Sequence, residues 1–422
     1  MKTDRSELYH REKRLAYLML LPTFLLVILL VIIPLLANFW ISFKPIELGD
    51  LRPPKLVLKE YLRKVKNIGD TGTLEYRYRN SSVKFNLKEV VFTDEVPIGL
   101  TIIESVELCK LPNNNQIKCD LGDLPPRKSG KLKFKVLANE NWNESLSNPR
   151  STLQTVNYVS TNILTSFDFT FKNYSKVFSA TEFWNVLKVS ILYTVFGTAG
   201  AMILGLFAAQ ILQKSFPTRP LIRGLLLFPY VAPVIAVAFS WLVLFNPFSG
   251  AINALLIQMG ISDQPVNFFG QRNIEIGFFG ISFSFPLALT MVILFEIWRY
   301  FPLSFLFILA RMQSISSEIY EAAEMDGASP IQQFRFLSLP HIAGILAVLF
   351  LLRFIWTFNK FDDIFLLTGG NAGTRTLTVN VYEQAFAISN LGAGSAVAVV
   401  IFGFLLLFSI VFIRFSPRDN DQ

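Results

Sequence analysis

Histidine and cysteine are nearly absent, at two copies each in 422 residues. With His10 and His341 far apart in sequence, a protein metal site has little to work with, and none is expected. Charge is scarce too: only 17% of residues are Asp, Glu, Lys or Arg. No block of Lys and Arg interleaved with aromatics occurs, which argues against a nucleic-acid partner. Nor is there a G-x-x-x-x-G-K-[ST] run. The "SGKL" at Ser129 lacks both the spacing and the Ser/Thr, so no phosphate-cradling loop is expected in this chain. Convergent acids for a membrane enzyme such as a glycosyltransferase are also missing, because Asp362–Asp363 alone is too little.

What is abundant is apolar. Hydrophobic residues make up 52% of the chain and Phe alone occurs 41 times, which departs from soluble usage and points to a polytopic membrane protein. A helix needs about 20 mostly apolar residues to cross the hydrocarbon core. Leu15 to Phe43 contains no charge, follows "HREKR", is too long for a signal-peptide core and lacks a small-residue cleavage site, so it reads as an uncleaved first span. Further spans are expected at Val189–Leu212, Gly224–Phe245, Leu287–Ala310, Ile342–Phe358 and Leu391–Phe412. Pro22, Pro34, Pro229 and Pro233 are tolerable inside such helices, where neighbours re-satisfy freed backbone groups. The fold class expected is an all-α polytopic membrane protein of six transmembrane helices with an inserted extracytoplasmic β-sandwich domain.

Orientation follows from the short loops. Lys2, Arg5, Arg11, Lys13 and Arg14 precede the first span, and Lys214, Arg219 and Arg223 separate the second and third. Arg311 and Arg335 lie between the fourth and fifth, and Arg414 and Arg418 follow the sixth. All fall on one side, which the positive-inside rule assigns to the cytoplasm, so both termini are expected there.

Between the first two spans lie roughly 120 residues of another character, far above an ordinary loop length. Leu51 to Arg150 carries 18 Lys/Arg against 12 Asp/Glu, so +6 of the formal +8 sits here. "TLEYRYR" puts Leu74, Tyr76 and Tyr78 on one face, and "GKLKFKVLA" does the same with Leu132, Phe134 and Val136. This period of two reads as half-buried strands, with turn chemistry at Pro112–Asn115 and Pro125–Gly130. "TDEVPIGLTI" followed by "IKCDLGDLPPRKSGKL" resembles a bacterial immunoglobulin-like surface repeat through Asp94, Pro97, Gly99, Leu100, Cys119, Leu121, Gly122 and Leu124. That resemblance implies an inserted β-sandwich, here extracytoplasmic. Cys109 and Cys119 flank the Asn-rich turn, and opposite hairpin positions outside the membrane suit a disulfide. The sequons at Asn80, Asn143 and Asn173 read as chance matches in a prokaryotic chain.

"EAAEMDGASPIQQFRFLSLP", Glu321 to Pro340, is too polar for lipid and too short for a domain. A short helix carrying Glu321, Ala322 and Ala323 should end near Gly327. Ser329 can cap a second helix, with Pro330 first in it and Phe334, Leu337 and Leu339 buried until Pro340 breaks it. Two short helices at an angle make a cytoplasmic elbow suited to a groove in another protein.

The segment resembles the EAA loop (here 314–340) of permease subunits of bacterial ABC importers, with Leu337 where Ile is commoner. "RFIWTFNKFDDIFLLTGG" is similar to the fifth-span region of sugar-type permeases and "LPTFLLVILLVIIPLLANFWISF" to their first span; Asn371 departs from the usual Gly-Pro. The resemblance implies a MalF-type subunit of the binding-protein-dependent carbohydrate group, a non-enzyme forming half of a translocation path. It implies 1–43 as cytoplasmic N-terminus and first span, 44–170 as the insert, 171–414 as a permease core and 415–422 as a cytoplasmic tail. Expected partners are a second permease, an ATPase dimer, an extracytoplasmic substrate-binding protein and membrane lipid. ATP and Mg would be used by the ATPase, with no cofactor bound here. Glu321, Ala322, Ala323, Asp326, Gly327 and Pro340 would dock that ATPase, and the insert would contact the binding protein or serve as a stabilising cap.

Ionisable residues inside spans are expensive and normally face protein or a watery cavity. Glu296, Arg299 and Arg353 therefore line the transport path or pair with one another, either within one helix or as Arg353 across to Glu296. Trp356, Phe358 and Asn359 offer an aromatic face and an amide to sugar hydroxyls, or pack the core. A secondary ion-coupled transporter is the alternative; it would usually show related halves, and no internal repeat is evident. Sugars, polyols, glycerol derivatives and glycoside osmolytes all fit the family range.

Overall fold

The computed structural model describes residues 2–113, 115–143, 154–179, 181–213, 216–278 and 281–416. Lys214 and Arg418, used above for orientation, Asn114 in the expected turn, and Arg150 lie outside the described residues. The chain divides into two units, Lys44–Thr170 and the pair of segments Met1–Phe43 and Phe171–Gln422.

Unit 44–170 holds β1 (Leu56–Arg63), β2 (Thr71–Asn80), β3 (Leu87–Glu95), β4 (Leu100–Glu104), β5 (Cys109–Asn113), β6 (Gln116–Leu124), β7 (Ser129–Ala138) and β8 (Thr155–Ser160). They form two four-stranded sheets, ordered β1-β2-β7-β4 and β5-β6-β3-β8, with antiparallel pairing throughout. The alternating residues explain the packing: Leu74, Tyr76, Leu132, Phe134 and Val136 of one sheet and Phe92, Ile117 and Cys119 of the other share one core. The Tyr76 ring sits 5.4 Å from Phe92 and 5.8 Å from Phe134. Cys109 and Cys119 are opposite each other in the β5–β6 register and form a disulfide. Asn80 is buried, its amide donating to the carbonyls of Phe85, Leu124 and Pro125, where no glycan could be attached. At the unit's ends, the Lys44 ammonium bonds the Ser166 and Asp168 carbonyls and lies over the Phe169 ring.

The expected all-α class is thereby corrected. Two four-stranded sheets occupy residues 56–160, and a further hairpin, β9 (Ile274–Phe278) with β10 (Ile281–Phe285), lies in the helical unit itself. The hairpin follows from the same period of two, with Ile274 and Ile276 alternating against Glu275 and Gly277.

The helical unit begins with α1 (Lys2–Val27), which runs through a π turn at Ile28–Ile32 into Ile33–Ser42. Then come α2 (Lys172–Ser179), α3 (Thr181–Gln213), α4 (Arg219–Val231), α5 (Val234–Leu244), α6 (Ala251–Gln258) and α7 (Leu287–Gln313). The remainder are α8 (Ser317–Met325), α9 (Pro330–Phe358), α10 (Asp362–Thr368), α11 (Leu377–Tyr382) and α12 (Leu391–Phe415). Among the described residues, five helices are long and apolar enough to cross a membrane: Glu12–Ser42, α3, α7, α9 and α12. The expected third span is not one helix; α4 and α5 meet at 92°. Pro233 explains the break, since it has no N–H and forces Ala232 into an extended conformation (φ −63°, ψ 143°).

Small residues set the central packing. Gly197, Ala201, Gly205 and Ala209 recur every four residues along α3 and are buried. A Cβ on Gly205 would stand 2.7 Å from the Phe305 backbone nitrogen, and one on Gly200 would stand 2.3 Å from Ile297. Such stripes let helix backbones approach closely where lipid offers no hydrophobic drive to association.

Candidate functional site

Two features can carry function: a surface elbow and a buried cluster of charges. The elbow starts at Ser316, whose side chain accepts from the Glu318 N–H and caps α8. α8 ends in a Schellman motif, with the Gly327 N–H on the Glu324 carbonyl at 3.0 Å and the Ala328 N–H on the Ala323 carbonyl at 2.9 Å. That motif needs a left-handed residue, and Gly327 supplies φ +76°. Ser329 and Gln332 then form a reciprocal capping box, at 2.7 and 3.4 Å, with Pro330 in the first turn. The second helix does not stop at Pro340, contrary to expectation. A π turn at Phe334–Ser338, closed by the Leu339 N–H on the Phe334 carbonyl, widens the helix where the proline ring would clash. α9 therefore runs unbroken from the elbow for 29 residues.

Glu321, Ala322, Asp326, Gly327 and Pro340 are exposed, and Ala323 is half-buried. Apolar side chains stand out among them, Met325 at 88%, Ile331 at 78% and Phe336 at 65% exposure. The Tyr320 hydroxyl meets the Ser338 hydroxyl at 2.8 Å and fastens α8 to α9.

The cluster lies where α3, α7 and α9 cross. Glu296 and Arg299, one turn apart on α7, do not pair. Glu296 Oε1 instead accepts from Arg353 Nη2 at 2.8 Å and Thr357 Oγ1 at 3.0 Å, and its Oε2 accepts from Tyr193 Oη at 3.0 Å. Glu296 is fully buried. Gly197 makes room for it, since a Cβ there would fall 2.9 Å from Glu296 Cγ. Arg299 turns to Asp363 at 3.9 Å, donates to Tyr300 Oη at 3.2 Å and reaches the Ala232 carbonyl at 3.3 Å. That carbonyl belongs to the break between α4 and α5, so Arg299 serves a backbone group the break leaves over. Lys360 joins through Asp363 at 3.7 Å and bonds the Tyr300 hydroxyl.

A cavity of about 490 Å³ adjoins this cluster, walled by Tyr230, Tyr300, Arg353, Trp356, Asn359 and Lys360 among others. Arg353, Trp356 and Asn359 are thus brought together. Phe358 is not; it stacks on Phe404 at 5.0 Å within the α9–α12 core. Glu296 and Arg299 stand behind the wall. Polar rings beside amide and charged groups can hold a hydroxylated solute by stacking and hydrogen bonding. The sequence reading missed Tyr193, Tyr230, Tyr300, Thr357 and Lys360. Thr357 follows Arg353 by four residues, hence on its helix face, which is the signal that was there to read.

Residues 201–418 match the family model described as the binding-protein-dependent transport system inner membrane component. The inner membrane ABC transporter permease protein YcjO of Escherichia coli is 36% identical over 239 residues, covering 57% of this chain and 76% of that protein. The trehalose/maltose transport system permease protein MalF of Thermococcus litoralis is 33% identical over 251 residues, covering 59% and 80%. Among solved structures, a bacterial ABC transporter involved in the import of the acidic polysaccharide alginate aligns with TM-score 0.52 at 19% identity, covering 60% of this chain and 86% of that one, a likeness of fold. The chain belongs to the family of binding-protein-dependent transport system inner membrane components.

Proposed function

We propose that the chain is a permease subunit of an ATP-driven importer for a sugar, polyol or glycoside osmolyte, forming half of the translocation path with a second permease. A separate ATPase dimer, using ATP and Mg, would bind the elbow through Glu321, Ala322, Ala323, Asp326, Gly327 and Pro340. An extracytoplasmic binding protein would deliver the solute, with the insert, an immunoglobulin-like sandwich in this reading, as its docking surface. Both termini and the elbow then face the cytoplasm. Substrate class rests on relatives named for trehalose and maltose. The family match speaks for a transporter working with a binding protein, not for the ion-coupled alternative.

The observation that carries this reading is the elbow's mechanical continuity. Exposed acids and apolar side chains sit on a capped turn that leads, without a break, into a helix reaching the cavity. Gly327→Val tests it. A β-branched residue at φ +76° costs roughly 1–3 kcal/mol, and nothing within 4 Å of the added Cβ complicates the outcome. The variant should insert normally, yet co-purify with less ATPase or leave hydrolysis uncoupled from import. Normal co-purification and coupling would reduce the elbow to an ordinary surface turn.

A further inference from the structure

Arg353 is 1% exposed, yet it forms part of the cavity wall. Its Nη2 is fixed on Glu296, its guanidinium lies 4.8 Å from the Tyr300 ring centre, and its Nε has no hydrogen-bond partner among the described residues. Glu296 holds α9 at two points one turn apart, Arg353 and Thr357, and holds α3 through Tyr193. Turning α9 about its own axis would break both α9 contacts, so these bonds couple a rotation of α9 to α7 and α3. Apolar residues of the same volume would join three helices without the cost of burying two charges. Stability alone therefore does not account for an ion pair at this place, and its position behind the cavity wall does.

We infer that Glu296 is a positioning residue for transport: it sets the Arg353 guanidinium at the cavity wall and links the end of α9 away from the elbow to α3 and α7. A displacement of the elbow then reaches the cavity as a shift of three helices, with the wall residue kept in place. This rests on the permease reading above.

The test uses the complete complex in proteoliposomes and reads two quantities, the amount assembled and the solute imported per ATP hydrolysed. Glu296→Gln leaves Arg353 without a counter-charge, and both quantities should fall, import per ATP by roughly tenfold. Combining Glu296→Gln with Arg353→Met removes the unpaired charge, so assembly should recover. Import per ATP should stay low, because the placed guanidinium is gone. Tyr193→Phe keeps the pair and removes one bond, and should lower import per ATP by about threefold with assembly unchanged. Wild-type import per ATP from the double variant would show that the pair serves packing alone, and the inference would fall. If the double variant does not assemble, Tyr193→Phe decides: a lowered ratio supports the inference and a wild-type ratio overturns it. Absence of ATP-driven import by the unaltered complex would instead overturn the permease reading, and the inference with it.

Discussion

At the scale of single residues, the insert contains a carboxyl pair unlike its charged surface. Glu60 of β1 and Asp94 of β3 are 4% and 1% exposed, and the Gln154 amide donates to both at 3.3 Å. Burial first, and the Asp94 carboxylate second, push Glu60 up to about 8. The folded unit therefore binds a proton that the unfolded chain releases near the ordinary carboxylate range. The stability this gives is fully present at acidic pH and is lost as pH rises through about 8. Between those limits the slope is at most about 1.4 kcal/mol per pH unit. Hydrogen exchange of β1–β3 amides in the intact chain, corrected for intrinsic rates, should show opening become easier from pH 5 to 9. Glu60→Gln should flatten that dependence; an unchanged slope would remove Glu60 as its cause. The disulfide gives a second residue-scale prediction. Unfolded, unreduced protein should take up no thiol label, and reduction should destabilise the insert by roughly 2–3 kcal/mol. Two labelled cysteines would contradict it.

At the scale of elements, small residues decide how helices meet. Gly205→Ala puts its Cβ against the Phe305 backbone, which cannot swing away, so a loss of about 1–3 kcal/mol is expected. Gly403→Ala on α12 meets nothing within 4 Å and should be neutral or slightly stabilising. Thermal denaturation in detergent separates the two; equal midpoints would show that the α3–α7 approach is not tight. The elbow's turn was legible in the sequence because its chemistry is local: Gly327, Ser329 and Pro330 act on their own neighbours. The π turn ahead of Pro340 and the 92° bend at Pro233 were not, because the same residue is absorbed in one helix and breaks another. What differs is whether neighbours such as Arg299 are present to take up a freed carbonyl. The Arg353–Glu296 pair was one of two readings left open by the sequence. Its choice over Glu296–Arg299 depends on α9 lying beside α7.

At the scale of the whole molecule, the chain is a helical unit into which 127 residues, Lys44–Thr170, are inserted. The two ends that the insert interrupts lie side by side within the helical unit. The Phe43 and Phe171 rings are 5.4 Å apart, the Ser42 and Tyr174 hydroxyls 2.7 Å, and the Asn173 amide donates to the Ser42 carbonyl at 2.9 Å. Replacing 44–170 by a short Gly/Ser linker should therefore leave the helices and ATPase binding intact. On the proposal that the insert docks the binding protein, import should fall when binding protein is limiting; unchanged import there would deny the insert that role. The central claim, an importer half driven by ATP, is tested most directly by uptake of labelled trehalose, maltose and glycoside osmolytes into proteoliposomes. The chain would be reconstituted with its partner permease, ATPase and binding protein. The account predicts uptake of at least one such solute that requires both ATP and the binding protein and persists when ion gradients are collapsed. Uptake that needs an ion gradient and ignores ATP would contradict it.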